Sequence, residues 1–183
     1  MRKPRFEEPA VVGYKHCYKQ VKSASERQWR KITTDVLTLL DNLPINSESA
    51  GAHYAEYALI VTDGTGRPGT LPVVSDTEIV LNGISGKVDL SHETLFVTKT
   101  KNRISDADYC RTARKPYDLV VCGVLIVLQK HASGVWRIST DGTLEDWDPA
   151  REWVERVLGY PGFKEVMQIC GVEIYASGSK SAS

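Results

Sequence analysis

The sequence predicts an α+β fold: a single domain in which a small mixed sheet packs with about three helices, one of them (116–131) largely buried. Three observations predict it. Short strand-like runs such as Glu78-Ile79-Val80-Leu81 and Val135-Trp136-Arg137-Ile138 alternate with stretches of helical periodicity. The run from Leu119 to Leu128 is almost unbroken in apolar character, so it must be covered on more than one side. A length of 183 residues suits one domain with a real core.

The elements follow in order. Residues 1–21 read as an irregular N-terminal arm with a short strand near Val11 and Val12, and 22–175 as the globular domain. Ser23-Ala24-Ser25-Glu26 has the spacing of a capping box. Trp29, Ile32, Val36 and Leu40 then recur at helical spacing, and Leu43-Pro44 stops that helix at about Asn42. Ala58 to Val61 reads as a strand. Asp63 to Gly69 is a glycine-rich turn that lacks the Gly-Lys-Ser/Thr ending of a phosphate loop. Glu78–Leu81 and Thr94–Val97 are further strands, and 101–109 is polar.

The β-branched content of 116–131 suggests a strand, but its length and ends favour a helix. Pro116 stands at the first position, Asp118 in the first turn, and Lys130 and His131 in the last. Val135 to Ile138 alternates like a return strand, and Ser139-Thr140-Asp141-Gly142 turns out of it. Asp148-Pro149 opens a third helix, with Trp153, Val154, Val157 and Leu158 inward and Gly159 at its end. Lys164 to Cys170 reads as a short helix, Val172 to Tyr175 as a terminal strand, and 176–183 as a disordered tail.

Composition narrows the function classes. Lysine and arginine number 23, aspartate and glutamate 23. That balance argues against strong duplex nucleic-acid binding, which goes with a basic excess. No run approaches the roughly 20 apolar residues of a membrane span. The first residues carry no apolar segment after their basic ones, so no secretory signal is expected. Cys17, Cys110, Cys122 and Cys170 form no Cys-x-x-Cys pair. The expectation is a cytoplasmic protein with reduced thiols, no metal and no cofactor.

One segment carries candidate chemistry. The loop Arg111-Thr112-Ala113-Arg114-Lys115 sets three cations before a helix start, where the first N–H groups lack intrahelical partners and the macrodipole is positive. Such an end suits an anion. An antiparallel strand after helix 116–131 returns its exit to the same end. Arg111, Arg114, Lys115, Asp118, Ser139, Thr140 and Asp141 then converge on one rim. The alternative is a structural network in which Arg114 and Lys115 pair with Asp118 and Asp141.

Other residues have a chemical and a plainer reading. His92-Glu93 could serve acid–base or metal chemistry, but neighbours on a strand point to opposite faces. His131 complements a helix dipole. Cys122 reads as core, and Cys110, beside Arg111, as the better reactive thiol. Trp136 and Trp153 read as core, while Trp147, among acidic residues, reads as exposed and suited to a protein partner.

His92-Glu93-Thr94, Cys110-Arg111-Thr112-Ala113-Arg114-Lys115-Pro116-Tyr117-Asp118, His131 and Ser139-Thr140-Asp141-Gly142-Thr143 carry a resemblance. Asp146-Trp147 and Val157-Leu158-Gly159-Tyr160 add to it. Over roughly residues 75–160 the chain resembles an uncharacterised protein family of phages and bacterial genomes. Typical members have Lys where this chain has Arg111, and Ser where it has Thr140. The resemblance implies a phage or prophage accessory protein working in the host cytoplasm, and it implies no catalytic residue.

The leading expectation is a small accessory protein that binds an anionic ligand, a nucleotide or phosphate-bearing molecule, at the 111–118 rim. The alternatives are a non-enzymatic protein-interaction or inhibitor protein, and a hydrolase or transferase using His92, Glu93 and Asp141.

Overall fold

The computed structural model describes residues 14–47, 50, 54–101 and 108–160, with the backbone of 167–169 and 172–174. Among these residues the fold is α+β, with three α-helices and two sheets. The first sheet has the order β6-β1-β7-β8-β9, built from Tyr109–Arg111, Lys15–Gln20, Trp136–Thr140, Met167–Ile169 and Val172–Ile174. All its pairings are antiparallel except β7 with β8, so this sheet is mixed. The second sheet is antiparallel. There β4 (Glu78–Gly83) pairs with β2 (Val61–Thr62), β3 (Val73–Val74) and β5 (Leu95–Thr98).

The single expected sheet is therefore two. The expected arm is also shortened, because 15–20 form β1, an inner strand of the first sheet. Tyr14, His16, Tyr18 and Gln20 are buried while the residues between them are not, the period-2 pattern of a half-buried strand. The expected strand at Val11-Val12 and the tail 176–183 lie outside the described residues. Of the helix read at 164–170, residues 167–169 form β8. The strand read at 58–61 reduces to β2 and a bridge between Asn46 and Ala58.

Helix α1 (Glu26–Asp41) begins two residues later than the Ser23 capping box implies. Ser25 is the N-cap: its hydroxyl accepts from Gln28 N–H, and the Gln28 side chain accepts from Ser25 N–H. Its stop at Asn42 agrees with the sequence. Helix α3 (Asp148–Leu158) ends at Gly159, whose left-handed φ of 67° is cheap for glycine.

Helix α2 (Asp118–Ala132) is the centre of the fold. Every residue from Asp118 to Leu128 is buried, and α1, α3 and β7 all pack on it. Pro116 and Tyr117 lie in the turn before it, so the helix starts two residues later than expected. Gly123 marks the meeting point of the three helices. A Cβ there would come 2.8 Å from Trp153 of α3, with Leu39 of α1 at 3.5 Å. Leu125, fully buried on this helix, is expected to cost about 2–5 kcal/mol when replaced by Ala. Denaturant melts check this, and a loss below about 1 kcal/mol would place the residue at the surface.

Candidate functional site

Strand β1 runs between β6 and β7, and this position assembles the site. His16 lies opposite Cys110 on one side and Thr140 on the other. The 111–118 segment and the exit of β7 therefore meet around the start of β1, at the end of the sheet where α2 begins. The side chains sort into an outer rim and an inner cluster.

On the rim each cation of the loop has an acidic partner. Arg111 N–H donates to Glu93 Oε2 at 2.7 Å, and its guanidinium is 3.4 Å from Glu93 Oε1. Arg114 lies 4.2 Å over the Tyr14 ring and forks onto both carboxylate oxygens of Asp146. Lys115 Nζ donates to Ser91 O at 2.5 Å and lies 3.7 Å from Asp89. The expected pairing of Arg114 and Lys115 with Asp118 and Asp141 is thus replaced by Asp146 and Asp89. The reason is local: Asp118 is drawn inward, and Asp141 Oδ1 accepts Lys15 N–H at 2.7 Å. Ser139 stands beside Cys17 in the ladder. Thr140 is buried, donating to Lys15 O and accepting from Gly142 N–H, both at 3.1 Å.

The helix start is also occupied. Asp118, Leu119 and Val120 N–H donate to the carbonyls of Lys115, Pro116 and Tyr117. These turn carbonyls take the groups that the sequence leaves free. The loop itself is strained: Ala113 and Arg114, neither a glycine, have φ of 50° and 56°. Gly142 lies flush against the same corner, where a Cβ would come 2.4 Å from Tyr14 and 2.8 Å from Asp146.

Beneath the rim is a buried polar cluster. His16 Nε2 is 2.8 Å from Asp118 Oδ1, and the Thr112 hydroxyl donates to the same oxygen at 2.6 Å. Cys122, one helical turn after Asp118, sets its Sγ 3.6 Å from His16 Nε2 and 3.8 Å from Asp118 Oδ2. The rings of Tyr14 and Trp147 stand edge-on to His16, each 5.0 Å away. Tyr14 Oη, His16 Nδ1 and Trp147 Nε1 are buried and have no hydrogen-bond partner among the described residues. Trp147, expected at the surface, is core because it walls this cluster.

Burial, reinforced by Asp118, pushes the Cys122 thiol well up, so it holds its proton at neutral pH. Burial also raises Cys110, whose Sγ donates to Glu93 O at 3.2 Å. That corrects the reactive-thiol reading of Cys110.

The remaining candidates sit apart. His92 is exposed, Glu93 is engaged by Arg111, and Asp141 is engaged by Lys15 N–H, so the structure does not bring these three together. His131 has a partner beyond the helix dipole. Its Nε2 lies 2.6 Å from Asp35 and 3.0 Å from the Tyr160 hydroxyl, which donates to the same Asp35. Among the described residues, surface indentations at Ile126, Val154 and Tyr160 and at Pro44, Leu119 and Trp153 lie away from the basic loop. No helix among the described residues is long and apolar enough to cross a membrane.

Asp146 gives the rim a pH signature. Burial opposes its charge, but hydrogen bonds from Arg114 and Thr143 outweigh burial and hold the carboxyl below the usual aspartate value of 3.8. A carboxyl depressed on folding stabilises the fold above its unfolded pKa, and that contribution is lost as pH falls through the folded one. The stability gap between wild type and Asp146→Asn should therefore hold steady from neutral pH down to about 4–5 and close below the ordinary aspartate pKa of about 3.9. Melts from pH 7 to 2 measure it, and a gap that persists at the acid end would contradict it.

Comparison of the chain with family models, with curated proteins and with solved structures gives no match.

Proposed function

We propose that this protein binds an anionic ligand, a nucleotide or another phosphate-bearing molecule, through the guanidinium of Arg114, with Asp146 holding the place that the ligand takes. The observation that carries this reading is the strained presentation of Arg114. Two consecutive non-glycine residues in the left-handed region cost on the order of 1–3 kcal/mol each, and such strain gathers at binding sites. The strained backbone lays a planar fork across the Tyr14 ring with 38% of the arginine side chain still exposed. A fork that fits a carboxylate on two oxygens fits a phosphate equally well. Arg111, on the same loop, is exposed and adds charge. Lys115 is buried and serves to fix the loop.

Acid-for-ligand exchange explains why the rim is both paired and basic. It also limits the partner class: one exchangeable fork beside Asp141, Glu145 and Asp146 does not hold duplex DNA against salt. The phage or prophage accessory setting, in a host cytoplasm, is part of the same proposal and rests on the resemblance alone.

The test is thermal unfolding across a panel of phosphate, sulfate and nucleotides. A specific ligand raises Tm by mass action, and Arg114→Ala with Lys115→Ala removes the rise. An unchanged Tm across the panel would overturn the reading, and a rise that survives the double substitution would move the site elsewhere.

A specific observation favours a second reading, a protein-interaction surface. Val73, Val80 and Phe96 stand side by side across β3, β4 and β5, and Leu71, two residues before Val73, is 79% exposed. Apolar rows at a surface suit a protein partner. That reading expects no Tm shift with any small anion.

A further inference from the structure

We propose that His16, Asp118 and Cys122 form the protein side of a buried binding site for a single divalent metal ion of the zinc type. The three side chains come from two elements that the fold locks together, β1 and α2. Their candidate ligand atoms, Nε2, a carboxyl oxygen and Sγ, all lie within 4.8 Å of one another. Sγ stands 3.6 Å from Nε2 and 3.8 Å from Asp118 Oδ2, while Nε2 is 2.8 Å from the other carboxylate oxygen, Oδ1. Ligand atoms at ~2.0–2.3 Å from a tetrahedral zinc ion stand ~3.3–3.8 Å apart, so the two edges that meet at Sγ already fit with Oδ2 as the carboxylate ligand, and the His16–Oδ1 hydrogen bond gives way to the metal.

The donor set is the second argument. Nitrogen, oxygen and thiolate sulfur on one site suit zinc and cobalt(II) better than magnesium or calcium, which take oxygen. An ionised Asp118 and a Cys122 thiolate balance a divalent charge, and a neutral His16 adds none. A neutral assembly is what a fully buried position tolerates. Thr112 supplies the outer hydrogen bond that fixes a ligating carboxylate.

The third argument is the set of polar groups left over. The Tyr14 hydroxyl is buried with no partner among the described residues, in a ring edge-on to His16. Its ring walls the cluster, and a water takes the fourth position. His16 Nδ1, also unpartnered, takes the imidazole proton when Nε2 turns its lone pair to the metal. Binding then releases the Cys122 thiol proton to solvent and forms the metal–sulfur bond, with no change of oxidation state. Enclosure implies loading during folding.

This site stands independently of the anion reading, since it uses neither Arg114 nor Asp146. The full chain is unfolded with chelator present, refolded with or without cobalt(II), and desalted. The expected result is one cobalt per chain, a thiolate-to-cobalt charge-transfer band, and a higher Tm than the metal-free form. The band should vanish in Cys122→Ser and persist in Cys17→Ser, Cys110→Ser and Cys170→Ser. X-ray absorption of the zinc-loaded wild type, which needs no variant to fold, should show one sulfur among nitrogen and oxygen ligands. No bound metal after refolding, a zinc shell with no sulfur or several, or a band that survives Cys122→Ser in the folded variant would overturn it.

Discussion

Trp153→Ala is expected to cost about 3–5 kcal/mol of stability, the range for removing a large buried aromatic. The indole is 2% exposed and lies where α1, α2 and α3 meet. Its ring edge fills the groove left open by Gly123, and Leu39 closes the third side. Its N–H donates to Asn42 O at 3.1 Å, at the C-cap of α1. Truncation therefore empties a three-helix contact and strips a cap carbonyl of its donor. A chemical denaturation curve reads the loss directly. A cost below about 1 kcal/mol would mean that the helices close over the gap, which their fixed backbones do not favour.

His16→Leu is expected to cost about 3–5 kcal/mol, because it leaves the Asp118 carboxyl buried with the Thr112 hydroxyl as its main remaining partner. The double change His16→Leu with Asp118→Leu should cost less than His16→Leu alone. Replacing both members of a buried polar pair by apolar groups removes the stranded partner along with the interaction. Urea melts of the two single variants and the double give the coupling. Simple additivity would contradict the buried pair as described.

What was legible in the sequence follows from how each element buries its side chains. Helix α2 was legible because its apolar run is long and its polar residues stand at its ends. The ends of α1 and α3 were legible from Pro44 and Gly159. Strand β1 was hidden for a physical reason: its inward set is Tyr14, His16, Tyr18 and Gln20, amphipathic side chains in place of aliphatic ones. The alternation was present as Lys15, Cys17 and Lys19 against those four, a signal of period 2 without the usual apolar label. With β1 unseen, His16 could not be joined to Asp118 and Cys122, and the buried cluster had no histidine.

The convergence of 111–118 with 139–141 was legible, since a helix followed by an antiparallel strand returns to its own start. The pairing of its charges was not. Asp89 and Asp146 lie 26 and 32 residues from their partners, and only the folded chain brings them to Lys115 and Arg114. The left-handed backbone at Ala113-Arg114 has no sequence mark, because neither residue favours it.

The proposed exchange between Asp146 and a ligand anion on Arg114 is open to one direct measurement. Isothermal titration of inorganic phosphate and of ATP into wild type, Asp146→Asn and Arg114→Ala separates a ligand fork from a structural latch. With the competing carboxylate neutralised, Asp146→Asn should bind at least about tenfold more tightly than wild type, a difference of about 1.4 kcal/mol. Arg114→Ala should show no heat of binding. If Asp146→Asn binds neither anion and differs from wild type only by a lower Tm, the Arg114–Asp146 pair is a latch between two loops and the anion site is contradicted.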